Sequence, residues 1–372
     1  MDDIYYLRKA LKLAEKGKGK TSPNPIVGAI LVKEGRIIGK GFHQKAGLPH
    51  SEIEAISKAT EPVEGSTLYV NLEPCIHYGR TPPCVDAIIK AGIKRVVSCM
   101  PDPNPIVNGR SFAKLKKNGI EVKVGLLREE AEKLNETFIY YIKHKRPFVL
   151  IKVGLSLNGK LSPSIGKGEQ ITGAEAKKYV HQLRKEYDAI MVGVNTIMVD
   201  NPLLTSRPSN GNGTPLIRVV LDSRLRTPPD ARIFEAKDGG GTIIFTCPNS
   251  PRVAHKELER VGAEIIQVGD KSGKIELKEV LELLGSREIT SLIVEGGSKV
   301  IASALREGIA QKILLIYAPK IFASKDSIPL INPQMLDEGG NIFQLYYLRS
   351  FPLGDDIAIE AYLEPNRERI EE

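Results

Sequence analysis

The chain has 372 residues, of which 41% are hydrophobic and 26% charged, a length beyond one ordinary core and a composition that excludes disorder and fibrous repeats. No apolar run approaches the roughly 18 residues of a membrane span, and the start Met1-Asp2-Asp3 lacks the basic and apolar pattern of a secretion signal, so a cytoplasmic protein with no membrane partner is expected. The net charge of +8 suits nucleic acid or a phosphorylated small molecule, but lysine and arginine are dispersed and no nucleic-acid-binding arm stands out.

Ile4, Leu7, Leu11 and Ala14 recur at helical spacing and stop at Gly17. Short apolar runs at Ala29–Val32 and Arg36–Ile38 flank a Lys33-Glu34-Gly35 turn and predict a hairpin. A helix over Ser51–Ala59, a strand over Leu68–Leu72, a helix over Pro83–Ala91 and a strand over Arg95–Met100 follow. The charged cluster Lys143-His144-Lys145-Arg146-Pro147 interrupts the pattern, which places a domain boundary between residues 145 and 146. Beyond it, strands are predicted at Phe148–Val153, Ala189–Val194, Ile217–Leu221, Thr242–Phe245, Glu264–Val268, Ser291–Val294 and Lys312–Tyr317. Helices are predicted at Gly173–Arg184, Leu277–Leu284 and Lys299–Arg306, so a largely parallel sheet covered by helices is expected. Phe343–Leu348 and Asp356–Leu363 predict a closing antiparallel pair split by Pro352 and Gly354, and Gly239–Gly241 and Ser209–Gly213 read as mobile loops. Both halves alternate helix and strand, so the fold class is α/β, with an α/β sandwich in the first half.

Four cysteines are too few for a disulfide framework, but two of them join a histidine in a pattern with a chemical meaning. His50-Ser51-Glu52 is followed by Glu73-Pro74-Cys75 and, after eight intervening residues, Cys84. One imidazole and two thiolates supply the three protein ligands of a catalytic zinc site, which keeps a fourth position open for a water made acidic enough to be a nucleophile near neutral pH. Glu52, two residues past the histidine, can face that water without coordinating the metal and shuttle its protons. Both cysteines are expected at or near helix N-termini, which favour the thiolate. A closed structural zinc knuckle would need a fourth ligand, and none is evident beside these three. Cys99 and Cys247 read as ordinary buried thiols.

Zinc deaminases pair His-x-Glu with Pro-Cys-x-x-Cys, and only the cysteine spacing differs here. With that spacing, residues 72–84, Leu-Glu-Pro-Cys-Ile-His-Tyr-Gly-Arg-Thr-Pro-Pro-Cys, closely resemble the deaminase half of the bacterial bifunctional riboflavin-pathway deaminase-reductases. Ser22-Pro23-Asn24-Pro25-Ile26-Val27-Gly28, Gly41-Phe42-His43 and Asp102-Pro103-Asn104-Pro105 carry the same resemblance. It implies a cytidine-deaminase-like α/β/α sandwich with one zinc ion per chain and substrate contacts from Asn24, His43, His77 and Arg80. A rival reading, a deaminase of cytidine or tRNA, leaves the second half unexplained.

The second half has no Gly-x-Gly-x-x-Gly after a strand, so a Rossmann fingerprint is absent. Its strand Ser291–Val294 runs instead into Glu295-Gly296-Gly297-Ser298, a turn that can serve either a pyrophosphate or tight packing. Residues 152–160 (Lys-Val-Gly-Leu-Ser-Leu-Asn-Gly-Lys), Asp188–Thr196, Val199–Arg207, Leu221-Asp222-Ser223 and Val294–Gly297 resemble the reductase half of the same family. That resemblance implies a dihydrofolate-reductase-like α/β domain over residues 146–372. It also implies NADPH contacts from Leu155, Gln170, Thr196, Asp200, Ser223, Gly296, Gly297 and Ser298. Gly168, Arg184, Leu204, Arg207 and Glu295 are implied to meet the ribose-phosphate substrate, with Lys152 and Asp200 as candidates for polarising and protonating the sugar. Asp200-Asn201-Pro202 reads equally as a helix-ending turn. Where the family commonly reads Gly-Glu-Ser-Gln-Trp-Ile-Thr, residues 166–172 are Gly-Lys-Gly-Glu-Gln-Ile-Thr, so an indole is replaced by Gln170 and a serine by Gly168. The expectation is a homo-oligomeric enzyme that deaminates a phosphorylated pyrimidine and then reduces its ribosyl group, with no nucleic-acid partner.

Overall fold

The apolar stripe of the first helix buries Tyr6, Leu7, Ala10 and Ala14 in α1 (Asp3–Ala14), and Asp2 caps it by accepting the Ile4 N–H at 3.1 Å. The structure, a computed structural model, describes residues 2–78, 82–164, 166, 170–206, 214–270, 273–331 and 342–363. The chain divides into two units, residues 1–145 and 146–372.

In the first unit, β1 (Gly28–Lys33) and β2 (Arg36–Phe42) form the expected hairpin, followed by α2 (Ser51–Ser57), β3 (Thr67–Val70), α3 (Cys84–Lys90) and β4 (Arg95–Ser98). The sheet order is β2-β1-β3-β4 and then β5 (Glu121–Val124), antiparallel as far as β3 and parallel beyond it. Two glycines let helices close on opposite faces. A Cβ at Gly28 would lie 2.3 Å from the Ala10 carbonyl oxygen of α1, and one at Gly41 would lie 2.1 Å from the Ser51 oxygen of α2. Gly41 pairs with Ala29, the neighbour of Gly28, so successive residues of β1 serve the two helices and a three-layer sandwich results.

Asp3 staples α1 to three strands. Its carboxylate accepts from Tyr69 of β3 at 3.0 Å, from Arg95 of β4 at 2.7 and 3.0 Å, and from Lys123 of β5 at 2.9 Å. The Arg95 guanidinium holds that carboxyl well below its usual range. Between Met100 and Lys143 the sequence reading assigns no element, yet α4 (Arg110–Lys117), β5, α5 (Arg128–Leu134) and α6 (Glu136–His144) fill the interval. The helices α4 and α5 are short and strongly charged, α6 has only 9 residues, and β5 is a largely exposed edge strand, so neither periodicity is clear before the neighbours are in place.

The second unit contains β6 (Phe148–Ser156), β7 (Lys160–Ser162), α7 (Ala174–Glu186), β8 (Ala189–Gly193), α8 (Val194–Asp200), β9 (Ile217–Leu221), β10 (Thr242–Thr246) and α9 (Arg252–Arg260). Then follow β11 (Ala263–Gln267), α10 (Leu277–Ser286), β12 (Ser291–Val294), α11 (Ser298–Arg306), β13 (Lys312–Ala318), β14 (Ile328–Pro329), β15 (Tyr346–Leu353) and β16 (Asp356–Tyr362). The main sheet runs β11-β10-β9-β8-β12-β6-β13-β16-β15, parallel through β13 and antiparallel in the last two strands. Apart from the edge strand β11, the parallel strands are mostly buried, which matches their continuous apolar runs.

Two expectations are corrected. The closing hairpin turns only at Gly354-Asp355, with Gly354 at φ 66°, while Pro352 lies inside β15 opposite Ile357. β15 is the sheet edge, where the missing proline N–H costs no ladder bond. Gly239–Gly241 is no free loop, because the buried Arg218 side chain donates to the Gly240 carbonyl and to Asp238 at 3.0 Å. The other expected mobile loop, residues 209–213, lies outside the described residues.

Candidate functional site

In the first unit, His50 caps α2 from extended backbone, Cys84 opens α3, and Cys75 lies on the segment after β3. Their ligand atoms all fall within 4.8 Å of one another, and no fourth side chain joins them among the described residues. His50 Nδ1 is 3.2 Å from Cys84 Sγ and 3.5 Å from Cys75 Sγ. Although Cys75 is in no helix, its sulfur accepts the Cys84 backbone N–H at 3.2 Å and its carbonyl accepts that of Val85, so it sits over the N-terminus of α3. The Cys84 thiol, that amide and His50 together draw the Cys75 thiol well below its usual range, whereas hydrogen bonding to Cys75 and burial raise Cys84. A buried and a half-buried sulfur and an imidazole sharing protons in this way fit a divalent cation, which replaces the protons as the common positive partner.

Glu52 is buried in the first turn of α2, and its Oε2 accepts from Ser51 Oγ at 2.8 Å. Burial raises its pKa, and the nearby Cys75 charge adds to the effect. It is outside the ligand triad but beside it, as expected of a proton shuttle.

His43 is buried, and its ring packs edge-on against His50 with centroids 5.2 Å apart. Its Nδ1 lies 3.3 Å from the Pro49 carbonyl, which can only accept, so Nδ1 carries the proton. Burial lowers its pKa, leaving Nε2 as an acceptor for Asn24 Nδ2 at 3.1 Å. The Asn24 carbonyl oxygen then remains for another donor. The loop bearing Asn24 is itself anchored: Asn71 and Asn135 each bridge to the backbone of residues 26–28 at 2.7–3.0 Å. His77 is exposed, and Arg80 lies outside the described residues.

Sequence reasoning found no role for Glu73. Buried beside Pro74-Cys75, it accepts the backbone N–H groups of Asp102, Gly109, Ser111 and Phe112 at 2.8–3.4 Å, tying the cysteine segment to the N-terminus of α4. The sequence signal was its place inside the matched motif, next to Pro74-Cys75, but its partners become visible only in the fold. Glu73→Ala is expected to weaken zinc affinity about 10- to 100-fold with all three ligands intact, read by chelator competition. An unchanged affinity would remove this positioning role.

In the second unit, Lys152 of β6, Arg184 of α7 and Glu295 just past β12 converge. Lys152 Nζ is 2.9 Å from Glu295 Oε2, and Arg184 grips both Glu295 oxygens at 2.8 Å while reaching the Thr205 carbonyl at 3.3 Å. Burial alone would raise the Glu295 carboxyl, but Arg184 and Lys152 outweigh it and hold the group well below its usual range. The neighbouring Leu204 is buried with φ 48°, a backbone conformation that residues other than glycine rarely adopt. Asp200 is not part of this cluster. It is exposed at the end of α8, where Asn201 at φ 40° stops the helix, and it makes no side-chain hydrogen bond among the described residues.

Thr196 in the first turn of α8, Ser223 after β9, Gly296 and Gly297 before α11 and Ser298 at its first position all lie at the C-terminal edge of parallel strands, where ligands of open α/β sheets bind. Gly296 has a packing reason of its own, since a Cβ there would meet Val300 at 2.6 Å, whereas Gly297 faces open space. Leu155 is fully buried in the core, so only its backbone can reach a ligand. Gln170 is exposed, with Nε2 3.3 Å from the Thr172 carbonyl. Gly168 and Arg207 lie outside the described residues.

Known proteins support both halves. The family model described as the cytidine and deoxycytidylate deaminase zinc-binding region matches residues 1–100, and that of the RibD C-terminal domain matches residues 147–359. The riboflavin biosynthesis protein RibD of Aquifex aeolicus is 42% identical over 357 residues, covering 96% of this chain and 97% of its own. That of Escherichia coli is 38% identical, covering 87% and 89%. Among solved structures, Acinetobacter baumannii RibD superposes with a TM-score of 0.87 at 33% identity, covering 97% of this chain and 98% of its own. The Thermotoga maritima diaminohydroxyphosphoribosylaminopyrimidine deaminase/5-amino-6-(5-phosphoribosylamino)uracil reductase gives 0.83 at 34% identity with the same coverage. With a zinc-binding deaminase region followed by a reductase domain and relatives matched almost end to end, the chain belongs to the RibD family of bifunctional riboflavin-biosynthesis deaminase-reductases.

Proposed function

We propose that residues 1–145 deaminate 2,5-diamino-6-ribosylamino-4(3H)-pyrimidinone 5′-phosphate and that residues 146–372 then reduce the ribosyl group of the product to ribityl with NADPH. The observation that carries this reading is the triad of His50, Cys75 and Cys84 with buried Glu52 beside it. Zinc, held by those three side chains, supplies the Lewis acidity that makes water nucleophilic near neutral pH. Glu52 takes in turn the two protons that water loses, passing the first to the ring nitrogen and the second to the departing amine, and Ser51 holds one of its oxygens in place. Asn24, oriented by neutral His43, offers its carbonyl oxygen to the amino edge of the pyrimidine. His77 and Arg80 complete the substrate contacts, with Arg80 as a fork for the phosphate.

In the reductase, NADPH supplies the hydride. Lys152 holds its ammonium toward the sugar, and Glu295 fixes both Lys152 and Arg184 by accepting from them. Arg184 and Arg207 suit the substrate phosphate, with Leu204 and Gly168 beside the substrate. Thr196, Ser223, Gly297 and Ser298, together with Gln170 and the backbones of Leu155 and Gly296, line the path of the cofactor. Asp200 remains a candidate for the proton step, by movement toward the sugar when ligands bind. The reading extends to a cytoplasmic homo-oligomer acting on a small molecule, with neither nucleic acid nor a membrane as partner. The sequence has no long basic run of the kind that marks a nucleic-acid arm, and no helix among the described residues is long and apolar enough to cross a membrane.

Mass spectrometry of purified, zinc-replete protein incubated with the pyrimidinone phosphate tests both steps. Deamination without NADPH and reduction only with it are expected. Deamination with no effect of NADPH would sink the cofactor assignment and point to Gln170. No reaction at all would sink the substrate assignment and turn attention to cytidine or tRNA.

A further inference from the structure

We infer that Lys16, Lys18, Lys20 and Lys45 form a cationic rim that draws the phosphorylated substrate to the deaminase site. The inference rests on the deaminase reading above. Residues 16–20 read Lys-Gly-Lys-Gly-Lys, and the loop is packed directly on the site: a Cβ at buried Gly17 would lie 2.8 Å from the carbonyl oxygen of His43. Two tight turns hold it there, from Lys18 N–H to the Glu15 carbonyl and from Lys20 N–H to the Gly17 carbonyl, both at 3.1 Å. A third, from Asn24 N–H to Thr21 at 2.8 Å, leads into the residue that bonds His43. Lys16 Nζ stands 6.0 Å from the ring centre of Phe42, which precedes His43, and Lys45 follows His43 by two residues.

Lys16, Lys20 and Lys45 are exposed and Lys18 is half-buried, and none of the four forms an ion pair among the described residues. Glu15 is the one carboxylate in residues 15–24 and 42–50, while Glu54 of α2 is occupied by Lys58 at 2.9 Å and Gln44 at 2.6 Å. The whole +8 surplus of the chain falls in residues 1–145, the acidic and basic residues of the second unit being equal in number. A phosphate monoester carries close to two negative charges near neutral pH. Unpaired lysines at the mouth of a cleft raise the local concentration of such an anion and its rate of encounter, by about 10- to 1,000-fold in the strongest cases, and the effect fades with salt.

The test compares two quadruple variants of the full zinc-loaded chain. One changes Lys16, Lys18, Lys20 and Lys45 to glutamine. The other removes the same charge elsewhere, at the exposed residues Lys90, Lys94, Lys116 and Lys117, which lie at the C-terminal ends of α3 and α4 and just before β4. The metal site sits at the opposite end of α3. In the rim variant, kcat/KM for deamination is expected to fall about tenfold at an ionic strength near 0.01 M and by less than about twofold at 0.5 M, with kcat unchanged. Reduction of already deaminated substrate keeps its wild-type rate, and the remote variant keeps most of its deaminase kcat/KM. Equal losses in the two variants, or a rim variant with the wild-type salt dependence, would overturn the rim. A wild-type protein that does not deaminate at all would overturn the functional reading itself, so the two failures are told apart.

Discussion

Glu52→Gln is expected to keep its zinc at the wild-type metal-to-protein ratio while deamination slows by about 100- to 10,000-fold, the usual worth of a positioned acid-base group. The amide matches the carboxyl in shape, and its carbonyl can still accept from Ser51 Oγ, so the buried site need not repack. What disappears is the ability to take up and return a proton. Because Glu52 is outside the His50, Cys75 and Cys84 triad, its loss removes no metal ligand. Metal analysis beside single-turnover deamination separates these effects. A variant that comes out zinc-free would show Glu52 to be a ligand, and one that deaminates at the wild-type rate would show that protons travel elsewhere. Reduction of already deaminated substrate is expected to continue unchanged, since its chemistry belongs to the other unit.

Glu295→Gln is expected to damage the reductase twice. With a neutral amide in place of the carboxylate, Lys152 and Arg184 face each other as two nearly buried cations, their side chains only 14% and 15% exposed. Breaking a buried ion pair from one side typically costs about 3–5 kcal/mol, so the second unit should unfold at lower denaturant while the first is unaffected. The two cations also lose their common anchor, and small displacements at a reacting centre cost up to about 100-fold in rate. Acid sensitivity provides an independent readout. The folded state depresses the Glu295 pKa, so its contribution is fully present above the unfolded-state value near 4.3 and is lost as pH falls from there toward the depressed folded value. In the variant that part of the acid destabilisation should vanish. Equal stability of the two proteins at neutral pH, or identical acid profiles, would show that the cluster does not hold the unit together.

The local chemistry of the zinc site was legible from residue order. His50-Ser51-Glu52 opens a helix and Cys84 begins the next, so the spacing alone puts an imidazole and a thiol at helix starts. The continuous apolar runs from Phe148 to Tyr317 likewise announce a buried parallel sheet, because strands covered on both faces need no alternation. Family resemblance extended this to the substrate and to NADPH.

Other features depend on residues far apart in the chain. Glu73 reaches backbone donors 29 to 39 positions away, and Arg184 meets Glu295 across 111 positions. Closer in sequence, but equally settled by the fold, the orientation of His43 depends on the Pro49 carbonyl six positions on, and the packing role of Gly296 depends on Val300 in the following helix. The same holds for the edge strand that accepts Pro352 and for the buried Arg218 that ties down a glycine-rich loop expected to be free. Residue order by itself determined which side chains could bind zinc, move protons or bind phosphate, because those capacities belong to the chemical groups. Tertiary structure decided which of them meet, since burial, hydrogen-bond partners and shifted protonation arise only when distant strands and helices pack together.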